Sequence, residues 1–381
     1  MDKKVLLGYL TLAGLLSGCV VRIDQPVAQA TASPPGPFWQ PGTPEPGAAP
    51  AATSAVPSPQ PAVVPVTWTD LGLSGRLVYV TGFYASEGPY NRLQLLDLKS
   101  GLLTTLFQAP PYAWINTATV SPADGQILLS YSPPRSFPAI YRMPLDGSQA
   151  PQLLFAPPDP NDQYIEPALA PDGKYLYFVH LNNQLHPETL EQRYPIYEID
   201  RMAYPDGQPE KIVDQAYWPR LSSDSSRLVF VSANPVNGTN QLFVADSDGS
   251  HVLQVELNGS FIPNIIDAPL FSPDGRSILF SAPGAPRAWA ARGLLDWFFG
   301  ASIASAHGVF SEWWSVPIVG GTPVQLTRLQ AANLYAATSP DNRYIASFSS
   351  NGVFVMDPDG TGLTMIVPDV GGTPGSVDWI P

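Results

Sequence analysis

Short apolar bursts alternate with polar turns along most of this chain, and one arrangement of the two recurs. The stretches "FSPDGRSILFSA" (271–282), "LAPDGKYLYFVH" (169–180), "LSSDSSRLVFVSA" (221–233) and "TSPDNRYIASFSS" (338–350) each set a turn between two apolar runs. Proline presets φ at the second turn position, Asp bonds local backbone at the third, and Gly then takes the left-handed conformation without steric cost. Pro273-Asp274-Gly275 and Pro171-Asp172-Gly173 fit in full, while Asn342 replaces Gly and tolerates that conformation next best. Ser225 is a poorer substitute, which predicts a looser turn, and "VSPADGQILL" (120–129) carries the extra Ala123.

After each turn comes a short β-rich run, such as Leu176-Tyr177-Phe178 or Leu228-Val229-Phe230, with Leu77-Val78-Tyr79 as a first copy lacking a clear turn before it. A second run and polar turn follow ("LFVADSDGS", "VFVMDPDGT"), and a third short run closes each unit, as in "VLQV" at 252–255. The runs begin at Leu77, Ile127, Leu176, Leu228, Ile278 and Ile345, separated by 50, 49, 52, 50 and 67 residues. A period near 50 with four short strands per unit is the mark of a propeller blade. The fold class expected is all-β, a six-bladed β-propeller with four-stranded antiparallel blades over 67–381. The last residues, "GSVDWIP", resemble the strand that precedes each turn and have nothing after them. They are expected to close the ring in blade 1, Val377-Asp378-Trp379 pairing beside Leu77-Val78-Tyr79, with Val66-Thr67-Trp68-Thr69 as the competing candidate.

The pattern x-x-[FWL]-S-P-D-G-[KR]-x-[IL]-x-[FY], followed by [IL]-[YF]-x-x-D-x-D-G, resembles the WD-repeat-like propeller of TolB-type proteins. It is similar as well to the propellers of prolyl oligopeptidase relatives. The resemblance covers roughly residues 70–381 and implies the fold, not an activity. The N-terminal α/β domain of TolB has no counterpart in the pattern, a proline-rich stretch taking its place, so a Tol-system role is not implied.

That stretch, residues 20–66, is mostly Pro, Ala, Ser, Thr and Gly without periodicity and reads as a disordered, polyproline-leaning tether. Residues 1–19 read as a lipoprotein signal peptide. Lys3 and Lys4 form a basic region, Val5 to Leu16 an apolar one too short to span a bilayer, and Leu16-Ser17-Gly18-Cys19 resembles the bacterial lipobox. Cys19 is the one cysteine of the chain, so it is the expected lipidation site and no intrachain disulfide can form. These features place the protein outside the cytoplasm, anchored to a membrane through lipid at Cys19.

Composition narrows the partners. The formal charge of −13 repels phosphate backbones, so nucleic acid is not an expected partner. No G-x-S-x-G elbow, P-loop, dinucleotide fingerprint or HExxH occurs, and "GLSG" (72–75) lacks the elbow spacing. With the propeller running to the last residue, no room is expected for an appended hydrolase domain. His180 and His186, with Glu188 and Glu191, read as polar residues of a long loop in the third blade, and "DSDG" (246–249) and "DPDG" (357–360) as plain turns. No metal and no cofactor are expected.

In a propeller the innermost strand of each blade lines the axial channel. Aligning the repeats puts Asn116, Glu166, Trp218, Asp267 and Tyr335 just before the turns. Glu166, Trp218, Asp267 and Tyr335, carboxylates beside aromatics, are the candidate ligand site at the propeller mouth, suited to a protein or glycan ligand. A second candidate contact lies in the insertion 285–312, "APRAWAARGLLDWFFGASIASAHGVFSE", which stretches one spacing to 67. Its apolar residues recur at helical spacing, and Trp289, Leu294, Trp297, Phe298 and Phe299 would either cap the propeller or dock a partner or membrane. The expected function is a non-catalytic, lipid-anchored binding or scaffold propeller at the cell envelope. The alternative is a carbohydrate-active or other hydrolytic propeller enzyme using Glu166 and Asp267 as a carboxylate pair.

Overall fold

A computed structural model of the chain describes residues 61–85, 88–182, 196–233, 239–259, 262–263, 265–284, 310–368 and 375–381. Blade 1 contains β1 (Ala62–Val63), β2 (Arg76–Ala85), β3 (Gly88–Asp97) and β4 (Leu102–Gln108). Blade 2 contains β5 (Trp114–Ser121), β6 (Gln126–Ser132), β7 (Ala139–Pro144) and β8 (Gln152–Phe155). Blade 3 contains β9 (Gln163–Leu169), β10 (Tyr175–Asn182), β11 (Ile196–Ala203) and β12 (Glu210–Asp214). Blade 4 contains β13 (Ala216–Leu221), β14 (Arg227–Ala233), β15 (Asn240–Asp246) and β16 (Leu253–Gln254). Blade 5 contains β17 (Asp267–Phe271), β18 (Ser277–Pro283), β19 (Ser311–Pro317) and β20 (Val324–Gln325). Blade 6 contains β21 (Tyr335–Thr338), β22 (Ile345–Ser349), β23 (Gly352–Met356) and β24 (Thr364–Pro368), after which β25 (Val377–Ile380) returns to blade 1.

The six sheets are antiparallel, and β25 closes the ring in the register expected: Leu77 opposite Trp379, Val78 opposite Asp378 and Tyr79 opposite Val377. The innermost strands β25, β5, β9, β13, β17 and β21 each touch the next, the last returning to the first. Closure is also made by side chains. The Trp379 indole donates to the Ser74 carbonyl at 2.9 Å, and a Cβ on Gly75 (φ +85°) would run into the Ile380 carbonyl. The six residues that open the repeat, Leu77, Ile127, Leu176, Leu228, Ile278 and Ile345, are all fully buried. Each sits on the second strand of its blade, where both faces pack against neighbouring blades, and this is why the period is so legible.

The turns carry the expected chemistry. Gly173, Gly275 and Asn342 are left-handed (φ 71°, 68° and 60°), and the Asp274 carboxylate accepts the Arg276 N–H at 3.1 Å. The Ser225 turn is not looser. Ser225 adopts φ 61°, its N–H reaches the Ser222 carbonyl at 2.8 Å, and Asp224 accepts from the Ser222 hydroxyl and from Ser226. The serine-rich turn compensates with extra donors, which hold the Asp224 carboxyl down to about 2, chiefly through the Ser222 hydrogen bond. Asp248 and Asp359 likewise spend their oxygens on Ser250 and Thr361, as turns do.

Two boundaries move, and one closure candidate falls away. The chain joins the propeller before residue 67: Ala62–Val63 add a fifth strand at the outer edge of blade 1, and the Val64 N–H reaches the Gly101 carbonyl at 2.8 Å. An open sheet edge captures an extended segment wherever one is at hand. The competing closure candidate is no strand, since Thr69–Leu71 form a 3₁₀ turn and Trp68 is buried with its indole donating to the Leu98 carbonyl at 2.8 Å. The insertion ends earlier than 312, because Ser311 and Glu312 open β19. Buried Glu312 accepts from Thr327 Oγ1 and from the backbone N–H groups of Leu329 and Gln330, so its charge serves a neighbouring loop. Among the described residues no helix is long and apolar enough to cross a membrane.

Candidate functional site

Proline shapes the inner strands. Glu166-Pro167, Trp218-Pro219 and Ala268-Pro269 each interrupt the pairing of their strand with the next one, and Glu166, Trp218 and Ala268 adopt φ of 56°, 60° and 45°. A proline cannot donate to the ladder, so the strand bulges there and re-aims the side chain just before it. In β5 the register slips at Asn116, whose amide donates to Ser130 Oγ at 3.3 Å.

These registers correct the repeat alignment at one place. Asp267 faces Ser281 as Tyr217 faces Val231, so Asp267 matches Tyr217 and Ala268 matches Trp218. The proline, rather than distance from the turn, marks the equivalent position.

The four candidate residues nevertheless meet. Glu166 Oε2 accepts the main-chain N–H of Trp218 at 2.7 Å, and the rings of Trp218 and Tyr335 lie 5.3 Å apart, edge to face. Asp267 adjoins both, feeling the Glu166 charge and a hydrogen bond from the Trp218 side chain. The cluster lies within the channel: Trp218, Asp267 and Tyr335 are 3%, 5% and 4% exposed, while Glu166, Arg220 and Asp378 are half-buried. Burial governs its protonation. Desolvation raises the Glu166 carboxyl to about 7 against the opposing Trp218 hydrogen bond and Arg220 charge. Desolvation, joined by repulsion from Glu166, brings Asp267 to about 7 as well. Tyr335 and Tyr217 are pushed upward for the same reasons.

Sequence reasoning passed over two further members. Arg220, two residues beyond Trp218, interacts with Glu166, Asp378 and Tyr335, and burial lowers its pKa. Asp378 of β25 accepts the Val120 N–H at 2.8 Å and the Thr119 hydroxyl at 3.3 Å, tying blade 1 to blade 2, and burial raises its pKa. A signal for Arg220 was available, because it is the one Lys or Arg in the six innermost strands as described. One cation thus stands among three carboxylates contributed by blades 1, 3 and 5. A separate cleft of about 400 Å³ opens over Asp124, Gln126, Arg142, Gln149 and Gln152 of blade 2 and shares no residue with this cluster.

His180 is not a loop residue. It lies on β10, half-buried, with its imidazole beside Asp162, Glu198 and Asp200. Cys19 and the insertion residues Trp289, Leu294, Trp297, Phe298 and Phe299 lie outside the described residues, as do His186, Glu188 and Glu191.

Comparison with known proteins bears on the fold. No family model matches the sequence, and no curated protein does. Among solved structures the chain is similar to TolB from Acinetobacter baumannii, at 18% identity and TM-score 0.55, covering 81% of this chain and 67% of that one. It is also similar to a chain of a nidogen/laminin complex, at 12% identity and TM-score 0.53, covering 80% of this chain and 98% of that one. The fold is that of the TolB propeller. At such identities the likeness says nothing about ligand or activity.

Proposed function

We propose that the protein is a non-catalytic, lipid-anchored extracytoplasmic propeller that binds a protein or glycan of the cell envelope through its channel. The observation that carries this reading is the meeting of Glu166, Trp218, Asp267 and Tyr335, from four blades, in one shielded polar cluster. Carboxyls held near pKa 7 can donate as well as accept hydrogen bonds, and they do so beside aromatic faces. That combination suits a ligand rich in hydroxyl or amide groups. The lipobox ending at Cys19 supports the anchor, and the proline-rich stretch supports a spacer between membrane and propeller.

One observation favours the hydrolytic alternative: two buried carboxyls near pKa 7 lie in the range a general acid needs. Against it, Glu166 is engaged by the Trp218 N–H and the Arg220 charge. A glycan array and a pull-down from the protein's own membranes, run with wild type, Glu166→Gln and Asp267→Asn, separate the readings. Capture that both variants lose, with no cleaved product, supports the binding role. Cleavage by wild type that both variants lose transfers the site to the enzyme reading. Identical capture by all three proteins removes the channel from the account.

A further inference from the structure

Blade 3 carries a polar group where its packing calls for hydrocarbon. Along one face of the blade the pairings set Leu176 opposite Met202, Phe178 opposite Asp200, and His180 opposite both Glu198 and Tyr164. Leu176, Phe178, Met202 and Tyr164 pack there with Leu128 and Ile140 of blade 2. The alternation then continues with His180, Asp200 and Glu198, three ionisable side chains in register on a face pressed against its neighbour.

Their geometry has a direction. His180 Nε2 lies 3.0 Å from Asp162 Oδ2, which fixes the ring and leaves Nδ1 pointing the other way. Nδ1 faces Asp200 Oδ2 at 3.5 Å and Glu198 Oε2 at 3.7 Å, at and beyond the limit of a direct hydrogen bond. Each of the three residues offers a ligand atom within 4.8 Å of the other two. The other carboxylate oxygen of Asp200, a side chain only 7% exposed, is buried and has no hydrogen-bond partner. The second oxygen of Glu198 is held by Lys211 Nζ at 3.5 Å, so Oε2 is the one turned inward.

We propose that His180, Glu198 and Asp200 form a binding site for a divalent transition-metal ion, with Asp162 as the carboxylate that orients the histidine. Zinc takes nitrogen and oxygen ligands at about 2.0–2.2 Å, which sets neighbouring ligand atoms of a tetrahedron about 3.4 Å apart. Small shifts bring Nδ1, Oδ2 and Oε2 to that spacing, and water completes the fourth position. The Nε2–Asp162 contact is the outer-shell hydrogen bond that histidine ligands ordinarily make. An ion also answers the stretched separations, and coordination by both oxygens of Asp200 would engage the unpartnered one. One imidazole and two carboxylates suit Zn²⁺ or Mn²⁺ better than Ca²⁺, which seeks six or more oxygens. The same carboxylates favour a proton on the ring, so cation and proton compete for Nδ1.

Isothermal titration calorimetry of the chelator-treated full chain with Zn²⁺, Mn²⁺ and Ca²⁺ tests the site. One Zn²⁺ or Mn²⁺ per chain is expected, with affinity at least tenfold lower in both His180→Gln and Glu198→Gln. Glu198→Gln changes a partly exposed strand residue and guards against a folding artefact, which far-ultraviolet circular dichroism checks. Cobalt substitution should give tetrahedral visible bands that vanish in His180→Gln. No uptake by wild type, uptake unchanged in the variants, or preference for Ca²⁺ would each overturn the proposal.

Discussion

The carboxylate of Glu166 in blade 3 accepts the main-chain N–H of Trp218 in blade 4 at 2.7 Å, where both residues sit in left-handed bulges before a proline. Two bulges in adjacent blades are thereby locked to each other at the centre of the ring. The bond satisfies a backbone donor that the bulge releases from the ladder, and it draws a carboxylate into the channel, where Arg220 compensates it.

Removing that compensation should be costly. Arg220→Met leaves Glu166 and Asp378 without their cation and is expected to destabilise by about 3 kcal/mol or more, whereas Arg220→Lys should lose less. Combining Arg220→Met with Glu166→Gln should restore part of the loss. Urea midpoints of the four proteins give the coupling, and strictly additive losses would show that the charges do not interact.

The buried carboxyls also set a pH dependence. Glu166 and Asp267 keep their protons to about pH 7 in the folded state, because burial and their mutual repulsion outweigh the Arg220 charge and the Trp218 hydrogen bonds. The unfolded chain releases those protons near pH 4, so stability falls as pH rises from about 4 to 7 and levels off above. Chemical denaturation at pH 4.5 and 7.5 should show a smaller difference in Asp267→Asn than in wild type, and an equal difference would count against the assignment.

The closing strand carries more than its backbone pairing. Ser376 Oγ accepts the Ala118 N–H at 2.8 Å and Asp378 the Val120 N–H at 2.8 Å, so β25 holds blade 2 as well as blade 1. Asp378→Ala should cost about 2 kcal/mol through two unsatisfied strand donors, and deletion of 375–381 several times that. Calorimetry with an unchanged thermal midpoint for the deletion would contradict ring closure by this strand.

Anchoring has a direct check. Cys19→Ser should leave the protein unprocessed at that position and shift it out of the lipid-modified fraction in detergent partitioning and mass spectrometry. A serine variant that still carries acyl chains would disprove the lipobox reading.

The ring was legible because turn chemistry and buried aliphatics repeat together: Pro273-Asp274-Gly275 announces Ile278, and the same offset recurs around the propeller. The closing pair, Leu77 with Trp379, followed from a lone strand at the C-terminal end and a first unit that begins at its second strand. The site was legible by type more than by place. Glu166, Trp218 and Tyr335 were found as inner-strand residues, yet their burial depends on how six strands converge, which no local pattern encodes. Asp267 was aligned one position off because the count ran from the turn and ignored Pro269. His180 looked like a loop residue because Glu198 and Asp200 sit beyond residues 183–195 in sequence, although register sets them side by side on β11. Glu312 fell inside the bounds drawn for the insertion, and its three donors become visible only in three dimensions.

The central claim is that ligand enters at the channel cluster. A photo-crosslinking residue at Tyr217, half-buried against this cluster, measures it most directly, with the same residue at exposed Leu153 on the outer strand of blade 2 as reference. With the lipidated protein in its own membranes, the account predicts one discrete adduct from position 217, lost on adding Asp267→Asn, and none from position 153. Adducts from position 153 alone, or from 217 regardless of Asp267, would contradict it.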